Sequence, residues 1–295
     1  MEETELTVSK IVELYHEYQN DLRAVRASLV QIYSSRKSLR DRFLVETGAA
    51  LLPFLPDPVL RSLRRVDRVV RSSSPTLRPS FDDVEAEVTY LLIRNSRPQV
   101  VVEISPSGGW SSLWMLSALR DNGTGCLYSY DLVDDATRNI PATLSEQRWM
   151  FVRGDVRRAV RRLPRPIDYL FIDSDHSAEF ADWYLQNVFP LLSPNAIVSV
   201  DDVFRGPDDW PREFGEGQRV LEWLKTHGLA YLSFSPYSFS TKYEQAMRAK
   251  SELKMDSPIH TSIVNPCLFF SYRSAHSEPR HHEGSPDITA IRQNA

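Results

Sequence analysis

Residues 100–119 read VVVEISPSGGWSSLWMLSAL, and this stretch decides the fold class. A short apolar run, Val100–Ile104, leads into a turn that contains Gly108 and Gly109, and an apolar helical segment follows. A buried strand that passes through a glycine-containing turn into a helix is typical of a strand–helix unit. Because the alternation recurs as far as residue 235, we predict an α/β fold with a doubly wound, mainly parallel sheet.

The alternation predicts a seven-stranded sheet with helices on both faces. The strand candidates are short and apolar, and they lie at 100–104, 126–130, 149–152, 169–172, 197–200 and 229–234, with a last strand that ends at Tyr272. Helical segments are expected at 84–94, 111–120, 156–163, 180–191 and 217–227. We therefore divide the chain into an N-terminal helical region (1–80), an α/β domain (81–273) and a polar tail (274–295) that we expect to be disordered.

The N-terminal region carries a seven-residue apolar repeat over residues 8–32. Two sets of residues share this spacing: Val8, Tyr15, Leu22 and Leu29, and Ile11, Tyr18, Val25 and Ile32. Such a repeat predicts a helix with a narrow apolar seam that packs on another helix. The seam packs either against a second subunit or on the body of its own chain, and we favour a homodimer.

A second N-terminal helix is predicted at 58–71. Asp57-Pro58 fits an N-cap followed by a proline at the first helical position. The helix is rich in basic residues: Arg61, Arg64, Arg65, Arg68 and Arg71. A basic amphipathic helix can lie on a membrane, but we favour a packed helix with a solvated face. We likewise interpret His281-His282 in the tail as solvated rather than metal-binding.

The overall composition of the chain argues against several classes of function. The 295 residues carry a net charge of −4 at pH 7, so the chain as a whole has no electrostatic preference for nucleic acid or anionic membranes. No apolar run approaches the ~20 residues of a membrane helix, and the polar start MEETELTVSK does not resemble a secretory signal. Cys126 and Cys267 have neither metal-site nor disulfide spacing. We therefore expect a cytoplasmic protein.

The residues at the ends of the first three strands predict a ligand cleft. In an open parallel sheet, ligands bind beyond the carboxyl ends of the strands. The turn after Glu103 contains Ser105, Gly108 and Gly109, where backbone can approach a ligand and a helix N-terminus offers free N–H groups. Asp131 after the second strand suits ribose hydroxyls, and Asp155 after the third suits an adenine amino group. The turn lacks G-x-G-x-x-G, which argues against NAD or FAD and for a nucleoside ligand without phosphates.

Acidic residues also follow the fourth and fifth strands. Asp173 lies at the end of one strand, and Asp201 and Asp202 lie at the end of its neighbour. Carboxylates that converge repel one another, so they need a cation or shared protons, and hard oxygen ligands suit Mg2+. His176 is a competing candidate, because a neutral imidazole can accept a substrate proton without a metal. Capping of the next helix by Asp202, and a backbone hydrogen bond by His176, are the structural alternatives.

Several of these segments together resemble a known family. They are residues 101–119, LYSYDL at 127–132, GDV at 154–156, and the IDYLFIDSDH…SVDDVF stretch at 167–204. They look like a class I S-adenosylmethionine-dependent methyltransferase over residues 82–235. More narrowly, they are similar to the bacterial family that includes macrolide-sugar and aminocoumarin-sugar O-methyltransferases, and more distantly to catechol-type enzymes. The first motif departs from the usual E-x-G-x-G-x-G, because Ser105 and Ser107 stand where glycines are common.

The resemblance implies a Rossmann-like methyltransferase that methylates a hydroxyl on a sugar or other small natural product with the help of Mg2+. It implies these S-adenosylmethionine-binding residues: Glu103, Ser105, Gly108, Gly109, Asp131, Asp155 and Asp173. The metal ligands carried over are Asp173, Asp201 and Asp202, and the catalytic candidates are His176 and Asp173. The loop after the fifth strand, with Trp210, Phe214 and Glu216, is a candidate lid over the acceptor.

Two alternatives keep the fold and change the function. One methylates nitrogen or carbon, or uses the cofactor in a metal-free cyclisation or rearrangement. The other is a non-catalytic dimeric scaffold, which the substituted glycines Ser105 and Ser107 would allow. We expect no nucleic-acid substrate, because the catalytic domain has no basic-aromatic track and no N/D-P-P-Y/F tetrapeptide after the fourth strand.

Overall fold

The computed structural model describes residues 6–35, 77, 79, 82–205, 210–211, 215–234, 240–260 and 266–272. The predicted basic helix at 58–71, Phe214 and the tail with His281-His282 lie outside the described residues. No helix among the described residues is both long enough and apolar enough to cross a membrane.

A seven-stranded sheet forms the centre of the α/β region. Its strands are β1 (Val100–Ile104), β2 (Cys126–Asp131), β3 (Trp149–Arg153), β4 (Ile167–Ile172), β5 (Leu192–Val200), β8 (Leu232–Ser233) and β9 (Leu268–Ser271), and the order is β3-β2-β1-β4-β5-β9-β8. Strands β1 to β5 pair in parallel, whereas β9 is antiparallel to both β5 and β8. A separate two-stranded ribbon joins β6 (Phe204–Arg205) to β7 (Trp210–Pro211). The predicted doubly wound, mainly parallel sheet is confirmed.

Helices are described on both sides of this sheet. They are α1 (Val8–Glu17), α2 (Gln19–Ser35), α3 (Asp83–Ser96), α4 (Trp110–Asn122), α5 (Asp135–Asn139), α6 (Ala142–Ser145), α7 (Val156–Ala159), α8 (Ala178–Asn187), α9 (Glu216–Thr226) and α10 (Ser240–Glu252). The predicted helix at 180–191 ends as α-helix at Asn187 and continues as a 3₁₀ turn, Phe189–Leu191. Pro190 explains this difference, because proline has no N–H to donate to the preceding helical turn.

Two apolar cores cover the two faces of the sheet. Neighbouring strand residues alternate between the cores, as in the pairs Val101 and Val102, and Phe269 and Phe270. This alternation follows from the two-residue period of a strand, and it makes the strands apolar on both sides. The polar groups at the carboxyl ends of β1, β2, β4 and β5 therefore stand out as departures from an apolar pattern.

The seven-residue repeat of the N-terminal region packs on its own chain. The repeat is divided between α1 and α2, which are separated at Tyr18. Three of its eight side chains, Val8, Tyr18 and Ile32, are partly buried against the core that α3 and α4 also line. The other five are fully buried in it: Ile11, Tyr15, Leu22, Val25 and Leu29. Of the two interpretations of the seam, packing on the same chain is the one observed, because this chain supplies the partner helices. The homodimer stays a prediction.

A buried ionic junction links these helices. The carboxylate of Glu87 on α3 accepts hydrogen bonds from the Tyr15 hydroxyl at 2.8 Å, from Lys250 Nζ at 3.0 Å and from the Arg26 guanidinium. Glu87 is fully buried, and burial lowers the pKa of Lys250 to about 8. Charges taken out of water need partners, so this junction fixes α1, α2 and α10 against α3.

Replacing Glu87 with glutamine removes the carboxylate that both buried cations share. We expect Glu87→Gln to lower the free energy of unfolding by ~3 kcal/mol, because Lys250 loses the carboxylate that it contacts while Arg26 keeps Asp83 at 3.5 Å. Urea denaturation followed by circular dichroism measures this loss. The matched control is Glu13→Gln, since Glu13 is exposed and pairs with Lys10 at 3.4 Å, and it should change stability by less than ~0.5 kcal/mol. Equal effects of the two substitutions would contradict the role given to the junction.

Candidate active site

The turn after β1 holds serines in backbone conformations that favour glycine. The φ angles are 66° at Ser105, 49° at Ser107 and 91° at Gly109. For a residue with a Cβ, the left-handed region costs ~1 kcal/mol or more. Strand β2 offsets this cost, because the Ser105 N–H donates to the Tyr130 carbonyl at 2.8 Å and the Ser107 N–H donates to Asp131 at 2.7 Å. The two serines thus keep the turn shape that glycines commonly give.

Glu103 lies beneath this turn and is fully buried. Its carboxylate accepts hydrogen bonds from three hydroxyls, those of Ser111 at 2.6 Å, Ser112 at 2.7 Å and Ser129 at 2.6 Å. Burial raises the pKa of Glu103, and the three hydroxyls oppose that rise. These contacts tie the start of α4 and the middle of β2 to β1, so Glu103 positions the turn. Its direct contact with a cofactor stays a prediction.

Asp131 lies at the carboxyl end of β2 and connects two loops. One carboxylate oxygen accepts from the Ser107 N–H, and the other accepts from the Val133 N–H at 3.1 Å. The next two side chains are unusually exposed for large apolar residues: 67% for Leu132 and 46% for Val133. Neither residue was predicted from the sequence, although both lie directly after an acidic strand end.

Asp155 has a local structural role. It is the N-cap of α7 and accepts a hydrogen bond from the Arg157 N–H at 2.9 Å. The Arg157 guanidinium also pairs with the carboxylate at 2.9 Å, and this contact lowers the pKa of Asp155. Helix capping therefore explains the observed contacts of the Asp155 side chain, and a contact with adenine stays a prediction.

The acidic strand ends meet at one edge of the sheet. The Asp173 N–H donates to the Ile104 carbonyl at 3.2 Å, and the Asp201 N–H donates to the Ile172 carbonyl at 2.8 Å, so the ends of β1, β4 and β5 are adjacent. His176 Nε2 lies 3.3 Å from Asp202 Oδ2 and 4.0 Å from Asp173 Oδ1. One ligand atom from each of these three side chains falls within 4.8 Å of the others, which is close enough to share a metal ion.

Burial and like charge act together on these carboxylates. Burial raises the pKa of Asp173 to about 7, with a further contribution from Asp202, while His176 opposes the rise. Burial also raises the pKa of Asp201 well above its ordinary value, and the charges of Asp173 and Glu85 add to that rise. A group of this kind favours a bound cation or a retained proton.

Asp201, which we predicted as a third metal ligand, lies outside the group of three side chains whose ligand atoms are within 4.8 Å of one another, and its role as a ligand stays a prediction. Its side chain is buried, and its Oδ1 accepts no hydrogen bond from any residue that the structure describes. Asp202 follows it with φ 57°, so the chain leaves the regular strand geometry at this point. The group that the geometry brings together is therefore Asp173, His176 and Asp202.

The segment predicted as a lid contributes a contact to His176. Glu216 begins α9, is fully buried, and places its Oε2 2.8 Å from His176 Nδ1. No sequence pattern connects these two residues, which are 40 positions apart.

Trp210 pairs through its backbone with Arg205 in the β6–β7 ribbon. Trp110, the first residue of α4, is buried and packs edge-on against Tyr33 and Trp114.

Comparisons with known proteins agree with this architecture. Residues 102–203 match the family model described as a methyltransferase domain. Among solved structures, the cofactor-bound protein Rv0187 from MTB is similar with a TM-score of 0.50 and 17% identity, over 78% of this chain and 96% of that chain. At this identity, the similarity supports the fold alone. No curated protein matches the sequence.

Two further structures give lower scores. TomG from Streptomyces achromogenes, an O-methyltransferase involved in tomaymycin synthesis and solved with S-adenosylmethionine, has a TM-score of 0.46 and 17% identity, over 69% of this chain and 85% of that chain. The O-methyltransferase from Bacillus cereus, solved with S-adenosylhomocysteine, has a TM-score of 0.48 and 14% identity, over 82% and 100%. The match to the methyltransferase family model and the doubly wound sheet agree with a methyltransferase fold over this part of the chain.

Proposed function

We propose that the chain is an O-methyltransferase that acts on a hydroxyl of a small molecule, such as a sugar or another hydroxylated natural product. The observation that carries this proposal is the group formed by Asp173, His176 and Asp202 at the ends of β4 and β5. An alcohol must lose a proton as it accepts a methyl group, and this group offers both a base and ligands for a metal.

The turn after β1 fits a nucleoside-type cofactor. A Cβ added to Gly109 would lie 3.2 Å from Ala136 Cβ and from Ile140, so backbone passes close to the following loop there. Asp131 has acceptor capacity beyond its two backbone contacts, and the exposed side chains of Leu132 and Val133 offer an apolar surface beside it. S-adenosylmethionine supplies an electrophilic methyl group when it is bound. Glu103, Ser105 and Ser107 hold the shape of the turn for it.

The donor set also fits a divalent cation. Asp173 and Asp202 are hard oxygen ligands of the kind that Mg2+ prefers. His176 adds an imidazole nitrogen, which transition metals such as Mn2+ and Zn2+ accept more readily than Mg2+ does. A bound cation would lower the pKa of a coordinated hydroxyl. Asp173, Asp202 and the imidazole of His176 would hold it.

The negative charge of the site affects which acceptor molecules it can bind. The charges of Asp202 and of the buried Glu216 both act on Asp173, so this group repels an acceptor that carries a carboxylate or phosphate near the reacting hydroxyl. A neutral or cationic polyol avoids that repulsion, and neighbouring hydroxyls can replace the water around a bound cation. This supports a hydroxylated natural product over an acidic metabolite.

A test of the cofactor turn uses the two glycines that bound α4. Gly109 and Gly123 both have positive φ, but a Cβ at Gly123 meets no atom within 4 Å. Each alanine variant places a Cβ in the left-handed region, which costs ~1 kcal/mol. Only Gly109→Ala also displaces the turn. We expect Gly109→Ala to weaken S-adenosylmethionine binding about tenfold, which corresponds to ~1.4 kcal/mol, while Gly123→Ala leaves it unchanged. Calorimetric titration measures both, and equal affinities would contradict the assignment of this turn.

A second test addresses the acidic group. We expect Asp202→Asn to lower methyl transfer about 100-fold or more, because it removes a carboxylate beside the reacting hydroxyl. Asp182→Asn is the matched control, since Asp182 is an exposed carboxylate on α8 paired with Arg219 at 3.4 Å. The measurement is S-adenosylhomocysteine release with a panel of sugars, glycosides and catechols, with EDTA and then Mg2+ or Mn2+ added.

The outcomes of this second test separate the candidate functions. Loss of activity with EDTA and its return with added metal support the metal-assisted reaction. Activity that survives both EDTA and Asp202→Asn contradicts the proposal and favours the metal-free alternative. Failure to bind S-adenosylmethionine at all would support the non-catalytic scaffold.

A further inference from the structure

We infer that Glu216 is a positioning residue for the reaction: it fixes the orientation and the tautomer of His176, so that Nε2 is the nitrogen presented to the site. This inference rests on the proposed function of the Asp173–His176–Asp202 group. From its sequence position, Glu216 was predicted only to be part of a lid over the acceptor.

Glu216 holds His176 at two points. Its backbone N–H donates to the His176 carbonyl at 3.1 Å, and its Oε2 lies 2.8 Å from His176 Nδ1. The first contact fixes the backbone of the loop after β4, and the second fixes the plane of the ring. One residue therefore constrains both the place and the rotation of the imidazole.

The members of this group are buried to different degrees. The Glu216 side chain is 0% exposed, the His176 ring is 20% exposed, and the Asp202 side chain is 28% exposed. Glu216 thus lies in the interior, whereas the imidazole and the two aspartates all reach solvent to a similar extent. A hydrogen bond to a buried carboxylate is strong because little water competes for it.

The first turn of a helix supports a negative charge at Glu216. Glu216 is the first residue of α9, where unpaired N–H groups and the helix dipole stabilise an acidic side chain. The loop that carries His176 is held in a similar way, since Ser177 caps α8 by accepting from the Phe180 N–H at 3.2 Å. Two helix starts therefore meet at the His176–Glu216 contact.

An ionised carboxylate only accepts hydrogen bonds, so it requires the proton on Nδ1. In a neutral imidazole, Nε2 then carries the free lone pair. Nε2 is the nitrogen that lies 3.3 Å from Asp202 and 4.0 Å from Asp173. Without Glu216, Asp202 would favour the opposite tautomer by accepting a proton from Nε2. The buried 2.8 Å contact outweighs this longer and more exposed one, and it keeps the lone pair available to a substrate proton or a metal.

The test compares Glu216→Gln and Glu216→Asp with His176→Ala. Glu222→Gln is the control, because Glu222 is an exposed residue of the same helix. We expect Glu216→Gln to lower kcat about 10- to 100-fold, the range that follows loss of a residue orienting a histidine, with KM for S-adenosylmethionine unchanged. Histidine 15N spectra, assigned through the signal lost in His176→Ala, should move from the Nδ1–H form toward the Nε2–H form. Glu216→Asp should restore part of kcat and of the original spectrum.

The double variant Glu216→Gln/His176→Ala should be no slower than His176→Ala, because the two residues act as one unit. If Glu216→Gln keeps the wild-type kcat and the wild-type 15N spectrum while His176→Ala is inactive, the inference is wrong and the proposed function stands. If His176→Ala and Asp202→Asn are both fully active, the proposed function fails instead. Thermal melting checks that each variant folds. Should Glu216→Gln not fold, Glu216→Asp decides the outcome by the same two readouts.

Discussion

Mutual repulsion of carboxylates at one edge of the sheet is the constraint on which the rest of the site depends. The parallel register brings the ends of β4 and β5 side by side, so Asp173 and Asp202 cannot separate without breaking the sheet. Burial raises the pKa of Asp173 to about 7, and Asp202 adds to the rise. Carboxylates held this way are costly to ionise unless a positive group or a metal ion lies between them. His176 is placed where it can serve as that group or as a ligand of that ion.

The same register connects the acidic group to the cofactor turn. Strand β1 lies between β2 and β4, so the turn after Ile104 is adjacent to Asp131 on one side and to Asp173 on the other. The left-handed serines of the turn are held by hydrogen bonds that their N–H groups donate to β2. A cofactor in the turn and an acceptor beside His176 would therefore be positioned by one continuous hydrogen-bonded framework. Positioning of this kind is the main requirement of methyl transfer, because donor and acceptor must be aligned.

Local sequence patterns predicted much of the fold. Most of the features that were not predicted depend on long-range packing. Strand β1 agrees with its prediction residue for residue, because both of its faces are apolar and Glu103 alone interrupts the pattern. Strand β8 is shorter than predicted, since it is an edge strand that pairs only with β9 among the described strands. The repeat of α1 and α2 could not reveal that its partners lie in the same chain. Likewise, nothing near Glu216 in the sequence indicates His176. Strand ends located Asp173 and Asp202, but composition does not encode the left-handed φ of 57° at Asp202.

Two buried ionic groups in this molecule show how packing separates a structural role from a chemical one. At Glu87 the carboxylate meets Arg26, Lys250 and the Tyr15 hydroxyl, so its charge is compensated within the protein. At Asp173 the balance is different, because burial and the charges of Asp202 and Glu216 raise its pKa and His176 only partly opposes them. A compensated group stabilises one arrangement of helices, whereas an incompletely compensated one keeps a capacity to bind a proton or a cation. That remaining capacity is what a site must have if it is to remove a proton from a hydroxyl beside a methyl donor.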